Sequence, residues 1–237
     1  MRSVIRRLPG NGTAVGPRSF QSRLQRMAMK SSMHRMSSAP RVLVVSGSAR
    51  SQSPLRAVVE HVCDAVHGTG AQLRVHDLTE LRLPLMEYQD PKQAELPQVV
   101  KVRTDAAWAQ GFVLVTPEYH GNMSGALKNW FDFLYLELAG KFGGVVAVTG
   151  GGGGDMSLTA VRNCFNWCHG FTLPYHAAAR PPDFADDELQ SPALRDRIDR
   201  IVHDVCRYAP VVNGAFEQAR AQGPGVDSGV AGLHHRD

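Results

Sequence analysis

This sequence predicts an α/β domain on a doubly wound parallel sheet, and three observations carry that prediction. Short apolar runs alternate with segments of helical period five times between residues 41 and 216, the pattern of β-α units linked by right-handed crossovers. The runs at 42–45 and 112–115 are apolar at every position, as strands buried on both faces of a parallel sheet are. At 237 residues, 43% of them hydrophobic and 20% charged, the chain can enclose a full core. Five strands suit the order 2-1-3-4-5 with helices on both faces, in which ligands sit beyond the carboxyl ends of strands 1 and 3.

Residues 42–45 are the first strand, and 46–53 form a Ser-rich turn. The helix after it aligns Leu55, Val58, Val59, Val62, Ala65 and Val66 on one face. A second strand at 72–76 runs into a loop broken by Pro84, Pro91 and Pro97, and a helix at 98–109 follows. The strand at 112–115 ends in the loop 116–122, and a strongly apolar helix is expected at 124–138. The next strand, 144–149, stops at five consecutive glycines, Gly150 to Gly154, before a helix at 155–168. A short strand at 171–175 and an amphipathic helix at 191–216 complete the body.

The two ends read differently. Residues 1–40 hold seven Arg, one Lys and no acid, and are expected to be a disordered basic extension. Their composition is that of organelle transit peptides, so mitochondrial import is one reading. An ordinary tail, or a start at Met27, Met29, Met33 or Met36, is the other; without import the location is cytoplasmic. Residues 41–220 form the folded domain, and the Gly-rich stretch 221–237 is expected to be a disordered tail.

Charge and motif content exclude several classes. The net charge of +4 comes from the extension, because the remainder carries 18 basic against 22 acidic residues. A mildly acidic body has no basic stripe for tracking phosphates, so nucleic acid is not an expected partner. No apolar run reaches the roughly 20 residues of a membrane span. Cys63, Cys164, Cys168 and Cys206 are too scattered for a disulfide scaffold. Cys164, Cys168 and His169 lack the further ligands of a closed metal site, so the cysteines read as buried helix positions and no metal is expected. His61, His67 and His203 read as helix surface or edge, and no GxSxG elbow supports a hydrolase.

Three loops fall where one ligand could touch them all. The first, Gly47 to Ser53, opens a helix whose N-terminal N–H groups suit a phosphate, with Ser48, Ser51 and Ser53 hydroxyls and the Arg50 guanidinium beside them. It has neither Walker nor GxGxxG spacing, and plain Ser-rich capping is its alternative reading. The second, from Thr116 to Asn122, offers an irregular backbone at Pro117 and Gly121 and flat faces at Tyr119 and His120. That combination suits a planar heteroaromatic ring, or is a rigid connection with chance aromatics. The third, Gly150 to Gly154, presents bare backbone to a negative edge, or is only flexible.

With these motifs the sequence resembles a known family. Gly47-Ser48-x-Arg50-x-x-Ser53, the run Pro117-Glu118-Tyr119-His120-Gly121-Asn122-x-Ser124-Gly125-Ala126-Leu127-Lys128-Asn129, and the glycine loop are similar to those of the NADPH-dependent FMN reductases. These belong to the flavodoxin-like fold and include quinone, azo-dye and chromate reductases, and the resemblance spans 41 to about 210. It implies that Ser48, Arg50 and Ser53 hold the FMN phosphate. It implies that Pro117, Glu118, Tyr119, His120, Gly121 and Asn122 line the isoalloxazine ring, with Gly150, Gly151 and Gly152 at its pyrimidine edge. Position 120 is often Asn in the family, so His120 is a departure.

The implied activity is hydride transfer from NADPH or NADH to FMN and then to a quinone, azo compound, metal oxyanion or free flavin. Such chemistry needs no obligatory side-chain acid or base, so no catalytic residue is named. One ring face serving two substrates predicts ping-pong kinetics. A flavodoxin-type electron carrier or a redox-sensing flavoprotein is the alternative, although the strongly acidic body and T/S-x-T-G-x-T loop of a carrier are missing. The helix at 124–138 is apolar nearly all round, which predicts burial on both sides and a homodimer or homotetramer. The alternative cover is the loop 78–97.

Overall fold

The computed structural model describes residues 39–235. The expected basic extension and import signal lie almost wholly outside them. Strands β1 (Arg41–Ser46), β2 (Gln72–Asp77), β3 (Gly111–Pro117), β4 (Phe142–Val148) and β5 (Phe171–Thr172) form a parallel sheet in the order β2-β1-β3-β4-β5. The crossovers carry helices α1 (Leu55–Gly68), α2 (Pro97–Trp108), α3 (Gly125–Asp132) and α4 (Asp155–Trp167). This is the doubly wound order expected.

Period-two alternation splits the core into two layers. Val42, Val44, Val113 and Val115 pack with α1 and with α5 (Pro192–Arg220) on one face. Leu43, Val45, Phe112 and Leu114 pack with α2, α3 and α4 on the other. The fifth strand is not the single run 171–175. It breaks at Pro174, which has no N–H for the ladder, and resumes as β6 (Ala177–Ala179), again parallel to β4. The Arg162 guanidinium takes up the freed carbonyls of Leu173 and Pro174 at 3.0 and 3.1 Å.

Two expectations are corrected. The helix expected at 124–138 ends at Asp132, and the chain turns through Tyr135 (φ −150°, ψ −75°) into a 3-10 turn at Leu136–Leu138. The turn directs Phe133, Leu134 and Leu138 into the core, so the apolar surplus is covered largely by the chain itself, with Leu78, Leu81 and Leu83 joining that core layer. The stretch expected to be a disordered tail contains 3-10 turns over Val226–His234, with Ala231 packed against Phe216 and Ala139. Its glycines serve geometry here: Gly229 takes φ 56° at the kink.

Candidate functional site

The first loop leaves β1 through Gly47, whose N–H donates to the Val115 carbonyl at 2.8 Å. A Cβ at this position would lie 2.7 Å from that same oxygen, so the approach requires glycine. Ser48 is buried and its Oγ accepts from the Arg50 N–H at 3.0 Å, which folds the loop from behind. Ser53 Oγ accepts from the Leu55 N–H at 3.3 Å and opens α1. Arg50 is exposed in front of that helix end.

The second loop continues β3. Tyr119 and Asn122 exchange both backbone hydrogen bonds, at 2.9 and 3.0 Å, around a two-residue turn. His120 (φ 52°) and Gly121 (φ 71°) are both left-handed, the signature of a type I′ turn. That geometry suits the His here, since His, like Asn, enters this region more readily than most residue types. The His120 side chain is exposed. Ser124 Oγ accepts from the Leu127 N–H at 3.0 Å as the N-cap of α3 and donates to the Gly47 carbonyl, joining the first two loops.

The third loop turns back through Thr149, whose Oγ1 donates to the Gly152 carbonyl at 2.9 Å. Its glycines divide by task. At Gly154 (φ 78°) a Cβ would lie 2.9 Å from that of Ala178, and at Gly152 a Cβ would lie 2.8 Å from Glu118 Oε1. Gly150 has open space where its Cβ would stand. The other oxygen of Glu118 accepts from the Ser157 hydroxyl at 3.0 Å, tying the second loop to the first turn of α4.

These pieces enclose a cleft of about 390 Å³ at the strand ends. Arg50 and Ser53 line it from the first loop, Pro117, Glu118 and Tyr119 from the second, and Thr149 and Gly150 from the third. Ser48, His120, Gly121, Asn122, Gly151 and Gly152 are not among the residues that line it. The remaining wall includes Pro181 and Phe184, which sequence reasoning missed. Phe184 belongs to a hairpin of β7 (Phe184–Ala185) and β8 (Glu188–Leu189) turned at Asp186 (φ 51°) and Asp187 (φ 63°). A larger groove of about 860 Å³ lies along α5 beside Tyr175, but it is bordered by Asp196, Asp199 and Asp204 and draws on none of the three loops.

Away from the cleft, burial pushes the Cys168 thiol up to about 11 and raises Cys164, so neither is an activated nucleophile. No group of three or more His, Cys, Asp or Glu among the described residues could hold a metal ion. No helix among them is long and apolar enough to cross a membrane.

The residues at the cleft suit FMN on structural grounds. The Arg50 guanidinium and the Ser53 hydroxyl at the start of α1 match a phosphate, and the uncovered backbone at Gly150 leaves room for a ring edge against the main chain.

Fold and cleft together define a flavodoxin-type α/β domain with its ligand cleft at the topological switch point. The chain belongs to the NADPH-dependent FMN reductase family, whose model matches residues 40–183. It is an oxidoreductase of the class that works with FMN and a reduced nicotinamide. It is 31% identical over 185 residues to an NADPH azoreductase of Bacillus sp. (strain OY1-2), covering 77% of this chain and 97% of that one. It is also 31% identical over 182 residues to the NADPH-dependent FMN reductase ArsH of Shigella flexneri, covering 73% and 69%. Among solved structures, the flavoenzyme NAD(P)H:(acceptor) oxidoreductase FerB of Paracoccus denitrificans superposes with a TM-score of 0.60 at 20% identity, over 73% of this chain and 98% of that one. An archaeal flavodoxin superposes at 0.52 and 10% identity, over 72% and 99%, and shares the fold.

Proposed function

We propose that the protein is an FMN-dependent NAD(P)H oxidoreductase that reduces small planar acceptors, such as quinones and azo compounds, by a ping-pong cycle. FMN bound in the cleft would supply the redox chemistry, accepting hydride from the nicotinamide and returning electrons to the second substrate. Arg50 and Ser53 hold the phosphate in this reading, Arg50 by a charge-assisted fork and Ser53 at the open end of α1. Pro117 and Tyr119 flank the ring, while the Gly150 backbone meets its polar edge. Ser48, His120, Gly121, Asn122, Gly151 and Gly152 act through loop shape.

The observation that carries this reading is the convergence of all three loops on one cleft of ligand size. Initial rates against NADPH at several fixed concentrations of a quinone test it. Parallel double-reciprocal lines are expected because both substrates use one open face. Intersecting lines with a ternary complex would refute the cycle.

A homodimer or homotetramer belongs to the same proposal. A groove of about 410 Å³ between α3 and α4 is lined by Phe131, Leu134, Tyr135 and Trp167, and Trp167 is 81% exposed. A second copy of the chain is its proposed occupant, and light scattering at micromolar concentration reads the mass.

A further inference from the structure

Glu118 borders the cleft, and one oxygen of its carboxylate is engaged on α4. Oε2 accepts from the Ser157 hydroxyl at 3.0 Å and from the Ser157 N–H at 3.4 Å. Oε1 occupies the space above Gly152, 2.8 Å from where a Cβ would be. Helix α4 has Gly154 at its N-cap and so has no side chain of its own to satisfy its first turn. Glu118, 39 residues earlier in the chain, supplies that cap, and its negative charge sits on the positive end of the helix dipole. Ser157 is fully buried, and its single hydroxyl proton is shared between Glu118 Oε2 at 3.0 Å and the Gly154 carbonyl at 2.9 Å.

We propose that Ser157 is a positioning residue that holds the Glu118 carboxylate against the first turn of α4 and thereby keeps its negative charge out of the cleft. The inference rests on the FMN reading and deepens it. Reduction adds negative charge to a flavin, and a carboxylate turned toward it in a low-dielectric cleft opposes that gain by Coulomb repulsion. Held on α4, the same carboxylate has its charge met by the Ser157 hydroxyl and N–H, and the Gly150 backbone is left to face the ligand. The pair therefore sets how readily bound FMN accepts electrons. Gly152, expected at the ring's edge, lies beneath this carboxylate, with Oε1 2.8 Å from where its Cβ would stand.

The test is a double-mutant cycle read by the two-electron midpoint potential of bound FMN. Ser157→Ala frees the carboxylate and is expected to weaken binding of reduced relative to oxidised FMN about tenfold, a fall of about 30 mV. Adding Glu118→Gln to Ser157→Ala is expected to return the potential to near the wild-type value, because the effect is one of charge. Glu118→Gln alone is expected to shift the relative affinity less than threefold. An unchanged potential in Ser157→Ala overturns the proposal, as does a fall that Glu118→Gln fails to reverse. Should Ser157→Ala not fold, a tenfold or larger effect of Glu118→Gln alone overturns it, since the charge would then already face the cleft. A crystal structure of the Ser157→Ala apoprotein supplies an arm without FMN: the carboxylate is expected to leave Gly152, and finding it in place is contrary. Failure of the wild-type protein to bind FMN rejects the FMN reading and is distinct from all of these outcomes.

Discussion

The Ser124 hydroxyl donates to the carbonyl of Gly47 across 77 residues of sequence while accepting the Leu127 N–H that begins α3. One side chain thus caps a helix and joins the loop after β1 to the loop after β3, the two strands that flank the switch point. Removing it should loosen both. Ser124→Ala is expected to lose roughly 1–3 kcal/mol, the sum of a typical cap and one buried hydrogen bond. Urea unfolding measures the loss, and a change below about 0.5 kcal/mol would show that the connection is dispensable.

Arg50 tests the phosphate end of the cleft. Arg50→Ala is expected to weaken FMN binding by roughly 1.5–3 kcal/mol, the usual worth of a hydrogen bond to a charged group. Turnover at saturating FMN should suffer less, because the proposed role of the guanidinium is at the phosphate and not at the reacting ring. Fluorescence titration decides: wild-type affinity in the variant places the phosphate elsewhere.

His120 tests whether its role is backbone geometry. At φ 52° a β-branched residue is strained, so His120→Val is expected to cost roughly 1–3 kcal/mol. His120→Asn should be close to neutral in both stability and flavin affinity. A severe loss of activity in His120→Asn with the fold intact would mean that the imidazole itself is needed.

Much of this architecture could be read from sequence because it is local or periodic. Residues 42–45 and 112–115 read as strands buried on both faces, and the loops after them fell at the strand ends where a ligand cleft forms. The helix at 124–138 was overextended because no Gly or Pro marks the turn at Tyr135; packing of Phe133 and Leu134 makes it. The Glu118–Ser157 pair is separated by 39 residues and leaves no local pattern. Phe184 was missed because its hairpin turns on Asp186-Asp187, a weaker signal than Asn-Gly.

A charge cluster around the buried His76 and Asp105, also invisible in sequence, predicts acid sensitivity. Trp130 donates its indole N–H to His76 Nδ1 at 3.1 Å, and the other ring nitrogen lies 2.9 Å from Asp105, which also binds Arg74 and Lys101 at 2.6 Å each. Burial pushes the His76 imidazole below its usual value, against the opposing pull of Asp105. The unfolded chain takes up this proton near pH 6.5, whereas the folded chain resists it to lower pH. The stability contributed by His76 is therefore complete above about pH 6.5 and is lost as pH falls toward the folded value. Urea unfolding at pH 7 and 5 should show a fall in the wild type that His76→Gln reduces; equal pH slopes would be contrary.

The proposal that the cleft at the ends of β1, β3 and β4 holds FMN is tested most directly by the cofactor itself. The purified protein, reconstituted with an equimolar mixture of FMN and FAD, freed of excess flavin and then denatured, should release FMN at about one per chain, identified by mass spectrometry. The cleft offers one helix N-terminus with Arg50 and Ser53 for a single phosphate. Release of FAD, or of no flavin at all, would contradict the claim.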